Sequence, residues 1–150
     1  MYHAIVRRVI RSLFDAVNRG DSQPVLDAFA PQFEHVFLGG SALGGRRTSI
    51  ESTKAWYGRL YRLMPDIHFD IDSIAVSGTP WNTQAVVRWR ERNSGTDGVV
   101  TTNAGIHAVH IRWGNMTSLV ICPDTVLVIA TLDRLAAIGV SEAHAAMIEG

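Results

Sequence analysis

Apolar residues recur at helical spacing from the start of the chain. Ile5, Val6, Val9, Ile10, Leu13, Phe14 and Val17 form one stripe, Arg7, Arg8 and Arg11 fall mostly off it, and the pattern stops near Gly20. Ser22 can cap a short second helix with Pro24 in its first turn, which Pro31 would end. The stretch "FEHVFLGG" then alternates like a strand, with Phe33, His35 and Phe37 on one side, and "SALGGRR" reads as a glycine-rich loop. A third helix is predicted in "TSIESTKAWYGRLYRLMPD", where Thr48 and Glu51 have capping-box spacing and Pro65 is the stop. Trp56, Tyr57, Leu60, Tyr61 and Met64 stripe it. Strands follow in "IHFDIDSIAVSG", "NTQAVVRWRERN" and "NAGIHAVHIRWGNMTSLVICPDT", the last holding two of them. The tail "TLDRLAAIGVSEAHAAMIEG" has helical character with a break at Gly139. Helices first and a meander of strands afterwards predict an α+β domain, with helices packed on one face of an antiparallel sheet.

Composition narrows this only a little. The 150 residues suit one domain, and 47% of them are hydrophobic, enough to build a core. Fourteen basic residues balance fourteen acidic ones, which argues against a general nucleic-acid binder but leaves room for a local basic patch. Cys122 is the only cysteine, so an intrachain disulfide and a thiolate-rich metal site are both excluded. Arginines interrupt the N-terminal apolar pattern where a secretory signal would be continuous, and no run approaches the ~18 apolar residues of a membrane span. The expectation is a soluble, cytoplasmic protein without a membrane partner.

The hairpin carries most of the candidate chemistry. "RWGN" is its predicted turn, with Trp113 and Gly114 central and Arg112 opposite Asn115. Counting outward sets Val120 opposite His107 and Asp124 opposite Asn103, so that His107 and Asp124 share a face. A bulge or a longer loop would break that count. His107 and His110 are an odd number apart and point to opposite faces, which speaks against a shared metal, and no metal is expected. The face with Asn103, Gly105, His107, Val109 and Ile111 is apolar with a few polar groups, as a pocket wall would be. Ile106, Ala108, Leu119 and Ile121 are assigned to the other face, a candidate dimer contact.

The element order and several short motifs resemble the SnoaL-like branch of the nuclear transport factor 2-like superfamily. They are "NRGD" after the first helix, "APQF", "GGRRTSIES", "MPDIHFDID", "VVRWRERNSGTDG" and the final hairpin, together spanning about residues 4–135 of a single domain over 1–150, with 136–150 as a helical tail. The resemblance implies a cone-shaped α+β barrel in which a strongly curved sheet wraps the helices around one deep, mostly apolar pocket. It also implies homodimers through the outer sheet face. Members include polyketide cyclases, ketosteroid isomerases and limonene epoxide hydrolases, so the fold does not fix the reaction.

Cyclases and isomerases of this kind use a buried carboxylate as base, because burial raises its pKa toward neutrality. Asp124 lies on the last strand, in the region where SnoaL-like cyclases carry their acid/base aspartate, although the position three residues earlier, another site used in the family, is Ile121. Asp124 is therefore either that base or a strand-end aspartate bonding to loop amides. His107 is its candidate partner, as oxyanion donor or proton relay, against the alternative of a histidine satisfied within the core. His35, Phe37, Trp56, Tyr57, Tyr61, Trp89 and Asn103 are candidate substrate-binding residues; for the aromatic ones the competing role is ordinary packing. Arg88, Arg90 and Arg92 share a strand face that either holds an anionic ligand group or meets solvent and acids. The isomerase tyrosine and base correspond roughly to Phe14 and Val36, and Arg90 stands where an epoxide hydrolase would need an aspartate. The expectation is a cofactor-free enzyme of cyclase, isomerase or hydrolase type acting on a small hydrophobic oxygenated molecule. The alternative is a non-catalytic ligand-binding or dimerisation module.

Overall fold

The computed structural model describes residues 1–150. Its elements are α1 (Tyr2–Asn18), α2 (Gln23–Asp27), β1 (Phe29–Phe37), β2 (Gly45–Arg47), α3 (Ile50–Leu63), β3 (His68–Thr79), β4 (Asn82–Asn93), β5 (Thr101–Arg112), β6 (Asn115–Pro123) and α4 (Thr125–Ala137), followed by a 3₁₀ turn at Ser141–His144. The strands form one mixed six-stranded sheet in the order β2-β1-β6-β5-β4-β3. It is antiparallel throughout except where β1 runs parallel to β6. This α+β fold is the expected class, although the one parallel pairing was not anticipated.

The stripe on α1 buries Val6, Ile10, Phe14 and Val17. Polar side chains along the same helix fasten it to β3: the Arg7 Nε–H donates to the Ile74 carbonyl at 3.1 Å, and the Asn18 amide exchanges two bonds with the Phe69 backbone. Strand β4 alternates exposed and buried residues along its whole length, which sets Val87, Trp89, Glu91 and Asn93 inward and Arg88, Arg90 and Arg92 outward.

The boundaries differ from the sequence pattern at several places, and Gly45–Arg47 of the expected glycine-rich loop forms the edge strand β2. Pro31 lies inside β1, since α2 ends at Asp27. The cap of α3 is Ser49, whose hydroxyl accepts from the Ser52 amide, one residue beyond the expected capping box. Helix α4 begins at Thr125, ahead of the apparent start at Thr131. After Ala137 the expected helical tail holds only the 3₁₀ turn. Its last residues bond to the β2–α3 segment instead, with the Gly150 carbonyl accepting from the Thr48 amide and the Ser49 and Ser52 hydroxyls.

The β5–β6 turn has Trp113 and Gly114 at φ +51° and +83°, as a two-residue hairpin turn requires, and Arg112 pairs with Asn115. The register then slips. Ile111 faces Met116 but His110 faces Ser118, so Thr117 is an extra residue. Beyond this bulge His107 faces Ile121, and every inward position on β6 moves by one. Leu119 and Ile121 are therefore buried inside rather than on the outer face, where Val120 and Cys122 stand instead. The outer face carries a cross-strand row of Ala75, Val86, Ala108, Val120 and Val36.

Candidate active site

A cavity of about 110 Å³ lies between the inner sheet face, α1 and α3. Its wall is mostly apolar, with Phe14, Phe37, Trp56, Val109 and Ile121 among its residues, and its polar groups cluster on β4 and β5. Cross-strand register explains the cluster: Glu91 faces Asn103, Asn93 faces Thr101, and Trp89 faces Gly105.

Glu91 was not singled out by the sequence reading. It is 7% exposed and lines the cavity. Burial pushes its carboxyl up to about 7; the 2.7 Å bond donated by the Asn93 amide to Oε1 offsets part of that. The arginines on either side of it point to the other sheet face. A carboxyl at this poise is half ionised near neutral pH and can both take and return a proton. The signal in the sequence was parity: Glu91 shares the face of Trp89 and Asn93, two residues to either side.

His107 lies on the inner sheet face, as the strand alternation predicts. It is 8% exposed and borders the cavity. The Trp89 Nε1–H donates to its Nδ1 at 2.7 Å. An indole nitrogen can only donate, so Nδ1 must be the acceptor and the neutral ring carries its hydrogen on Nε2. That N–H has no partner within the protein. Burial lowers the ring's pKa to about 3, so it remains a neutral donor across the physiological range. Trp89 has room to lie there because residue 105 is glycine: a Cβ would meet the Cys122 carbonyl and come within 3.0 Å of the indole.

Asp124 is elsewhere. It is the N-cap of α4, exposed, with Oδ1 accepting from the Val126 and Leu127 amides at 3.1 and 3.3 Å. It does not border the cavity. The expectation that it shares a pocket with His107 fails because the bulge at Thr117 changes the register and the chain leaves the sheet at Pro123. Asn103 does border the cavity, but its amide is committed to the Asp124 backbone, accepting from N at 2.9 Å and donating to O at 3.0 Å.

The remaining candidates divide. Phe37, Trp56, Tyr57 and Trp89 line the cavity. His35 and Tyr61 do not. Tyr61 donates its hydroxyl to the Val17 carbonyl at 3.0 Å, away from the cavity. His35 is fully buried behind Trp56 and Tyr57, with ring centroids 4.7 and 5.4 Å away in edge-on geometry. Its Nδ1 accepts from the Arg47 Nε–H, which leaves an Nε2–H without a conventional acceptor among the aromatic rings. Besides Glu91, the sequence reading missed Thr101, whose buried hydroxyl has no partner and borders the same polar end.

Residues 10–119 match the family described as SnoaL-like domain. The chain belongs to that family. Among solved structures, an NTF2-like protein of unknown function from Burkholderia pseudomallei K96243 is similar at 21% identity, covering 83% of this chain and 95% of its own, with a TM-score of 0.75. A candidate SnoaL-like polyketide cyclase from Jannaschia sp. CCS1 is 16% identical over 83% of this chain and 88% of its own, with a TM-score of 0.68. AclR, a candidate hydroxylase from Streptomyces galilaeus, is 14% identical over 88% and 87%, at 0.69. These likenesses establish the SnoaL-like fold and not a shared reaction. No curated protein matches the chain.

Proposed function

We propose that this SnoaL-like protein is a cofactor-free enzyme of cyclase or isomerase type, acting on a small hydrophobic oxygenated molecule with Glu91 as acid/base. The observation that carries the reading is a lone carboxyl poised near pH 7 in an apolar cavity. Glu91 would take a proton from a carbon activated by a carbonyl, and the electron pair would move into the enolate. The His107 Nε2–H would donate to the developing oxyanion. The protonated Glu91 would then return its proton to the new product carbon or oxygen. Glu91 and His107 sit four positions apart in register, roughly 13 Å along the strands and more than one ring spans, so the two would act on a single conjugated ring only through side chains that converge on the cavity, with the carbonyl toward His107 and the acidic carbon toward Glu91.

The cavity's size restricts the substrate. Drug-sized ligands occupy pockets of about 300 Å³ or more, whereas a cavity of about 150 Å³ holds a single benzene ring. A monocyclic ketone, lactone or phenol is the matching class. Ile121 stands where some relatives are expected to carry the catalytic aspartate, and this favours a second reading as a ligand carrier without chemistry. A panel of monocyclic ketones, lactones and phenols is expected to raise the melting temperature of the wild-type protein but not of Ile121→Phe, which fills the cavity. A panel without effect on the wild type removes both readings.

The protein is also proposed to be a homodimer through the outer sheet face, whose row of Ala75, Val86, Ala108, Val120 and Val36 is apolar across five strands. Light scattering at micromolar concentration should give twice the chain mass, and Ala108→Arg should give the monomer. A monomeric wild type sinks the assignment.

A further inference from the structure

Two of the four tryptophans are core residues, Trp56 and Trp89. The other two stand in solvent: Trp81 is 54% exposed and Trp113 is 70% exposed. They occupy the tips of neighbouring hairpins, β3–β4 and β5–β6, with ring centroids 6.0 Å apart. The Trp113 amide donates to the Pro80 carbonyl at 2.7 Å, so the two tips are tied together. Trp113 is also the only non-glycine residue with positive φ, a conformation that suits Asn or Gly and strains a bulky side chain. Nothing in the core is gained by placing an indole there.

The first turns of α1 pack at the same end. The Tyr2 hydroxyl bonds the Thr83 hydroxyl at 2.6 Å and the His3 Nε2 bonds the Gly78 carbonyl at 2.8 Å. This helix exposes Ile5 and Val9, one turn apart, with Arg8 beside them. Val9 and the Gly114 of the hairpin tip border the same apolar cavity. The end is also one-signed. None of the fourteen acidic residues falls within residues 1–12, 77–84 or 110–117, which hold Arg7, Arg8, Arg11 and Arg112. Arg7 is turned to the Ile74 carbonyl; Arg8, Arg11 and Arg112 are exposed. The flanking acids are Asp15, further along α1, and Asp27, which is bonded by the Gln23 amide before β1 begins.

We propose that this end of the molecule docks on an anionic lipid surface. Projecting indoles suit the boundary between headgroups and acyl chains, where an apolar ring and a polar N–H are both accommodated. Aliphatic side chains beside them add buried area, and exposed arginines complement anionic headgroups, each worth about fivefold in partitioning. The features project from separate tips instead of lining a groove, so they match a deformable surface better than a protein segment. No helix is long and apolar enough to cross a membrane. The docked end includes the cavity rim at Val9 and Gly114, which would let an apolar molecule pass between bilayer and cavity. The proposal does not depend on what the cavity does with its ligand.

The test is sedimentation with large unilamellar vesicles, with tryptophan emission as a second readout. Vesicles containing phosphatidylglycerol and phosphatidylcholine should carry the protein down and shift its emission to the blue. Pure phosphatidylcholine vesicles should do neither, and added salt should reverse the effect. The Trp81→Ala/Trp113→Gly double variant keeps the core, relieves the strained φ, and is expected to lose at least about tenfold in partitioning. Arg8→Glu/Arg112→Glu should lose more. Circular dichroism of each variant should match the wild type. The proposal is overturned if anionic vesicles do not bind, or if binding persists undiminished in the tryptophan variant. It is equally overturned if heparin, or a polyacidic peptide, is bound as tightly as the vesicles and independently of the two indoles.

Discussion

Glu91→Gln is expected to reduce turnover by at least ~100-fold while making the protein more stable above neutral pH. The substitution keeps the shape and the acceptor for the Asn93 amide and removes only the titrating group. Its two effects have one cause. In the unfolded chain Glu91 titrates near the ordinary carboxylate value of 4.5, and in the cavity burial raises it to about 7. The folded state therefore holds this proton more tightly. Stability from that difference is fully present below about pH 4.5 and is lost as pH rises through about 7, after which the loss is constant. The interval of roughly 2.5 pH units corresponds to at most ~3 kcal/mol. The wild type and Glu91→Gln should then unfold alike at pH 4 and diverge in favour of the variant by pH 8. Activity in the wild type should rise with an apparent pKa near 7, the ionised base being the active form. Asp124→Ala is the comparison: it should cost about 1 kcal/mol through the α4 cap and leave turnover nearly intact. A well-folded Glu91→Gln protein with wild-type turnover would leave the carrier reading in place of the enzyme.

That contrast also shows where sequence pattern carries information. Helix α1, the stripe on α3 and the Trp113–Gly114 turn were legible because each depends on local periodicity or on a residue's own φ preference. His107 was legible for the same reason, as it lies near the turn on a strand of simple alternation. The bulge at Thr117 was not. An inserted residue has no composition of its own, and a single slip moves every later side chain on β6 to the other face. Leu119, Ile121 and the position of Asp124 were all misassigned by that one event. Asp124 did carry a second signal. An aspartate followed by "TVLVIATL" is an N-cap before an apolar run, but the β-branched residues of the run favour strand, and the two cues conflict. Glu91 was hidden differently. Its neighbours Arg90 and Arg92 make "RWRER" look like a solvated charge cluster, whereas the period of the strand separates the glutamate from the arginines completely. What no pattern supplies is the burial that shifts its pKa, because that comes from the helices closing over the sheet.

Arg47→Met is expected to be the most destabilising of the substitutions considered, at roughly 3–5 kcal/mol. Arg47 has no exposed surface, yet no carboxylate bonds it. Its guanidinium donates from Nη1 to the Gly44 carbonyl at 3.0 Å and the Ile148 carbonyl at 2.5 Å, from Nη2 to the Gly45 carbonyl at 3.0 Å, and from Nε to His35 Nδ1 at 3.0 Å. It also lies over the Trp56 ring, 5.3 Å from its centroid. Burial lowers its pKa to about 10, which still leaves it charged at neutral pH. Methionine restores most of the volume and none of the donors. Three carbonyls and a histidine nitrogen would then be buried without partners, each a cost of about 1–3 kcal/mol where the chain cannot relax. Relaxation is available at one place, the C-terminal segment, which Arg47 joins to β2 through the Ile148 carbonyl. Two changes should follow together. The melting temperature should fall by about 6–20 °C, at the ~2–4 °C per kcal/mol usual for a chain of this size. Amide exchange should also accelerate selectively at Gly150, whose amide bonds the Arg46 carbonyl, ahead of the sheet. Arg47→Lys supplies donors at a single point and should fall between the two. A melting temperature within a degree or two of wild type in Arg47→Met would show that the buried guanidinium's bonds are matched by its desolvation, and that the tail is held without it by the bonds of Gly150 to Arg46, Thr48, Ser49 and Ser52.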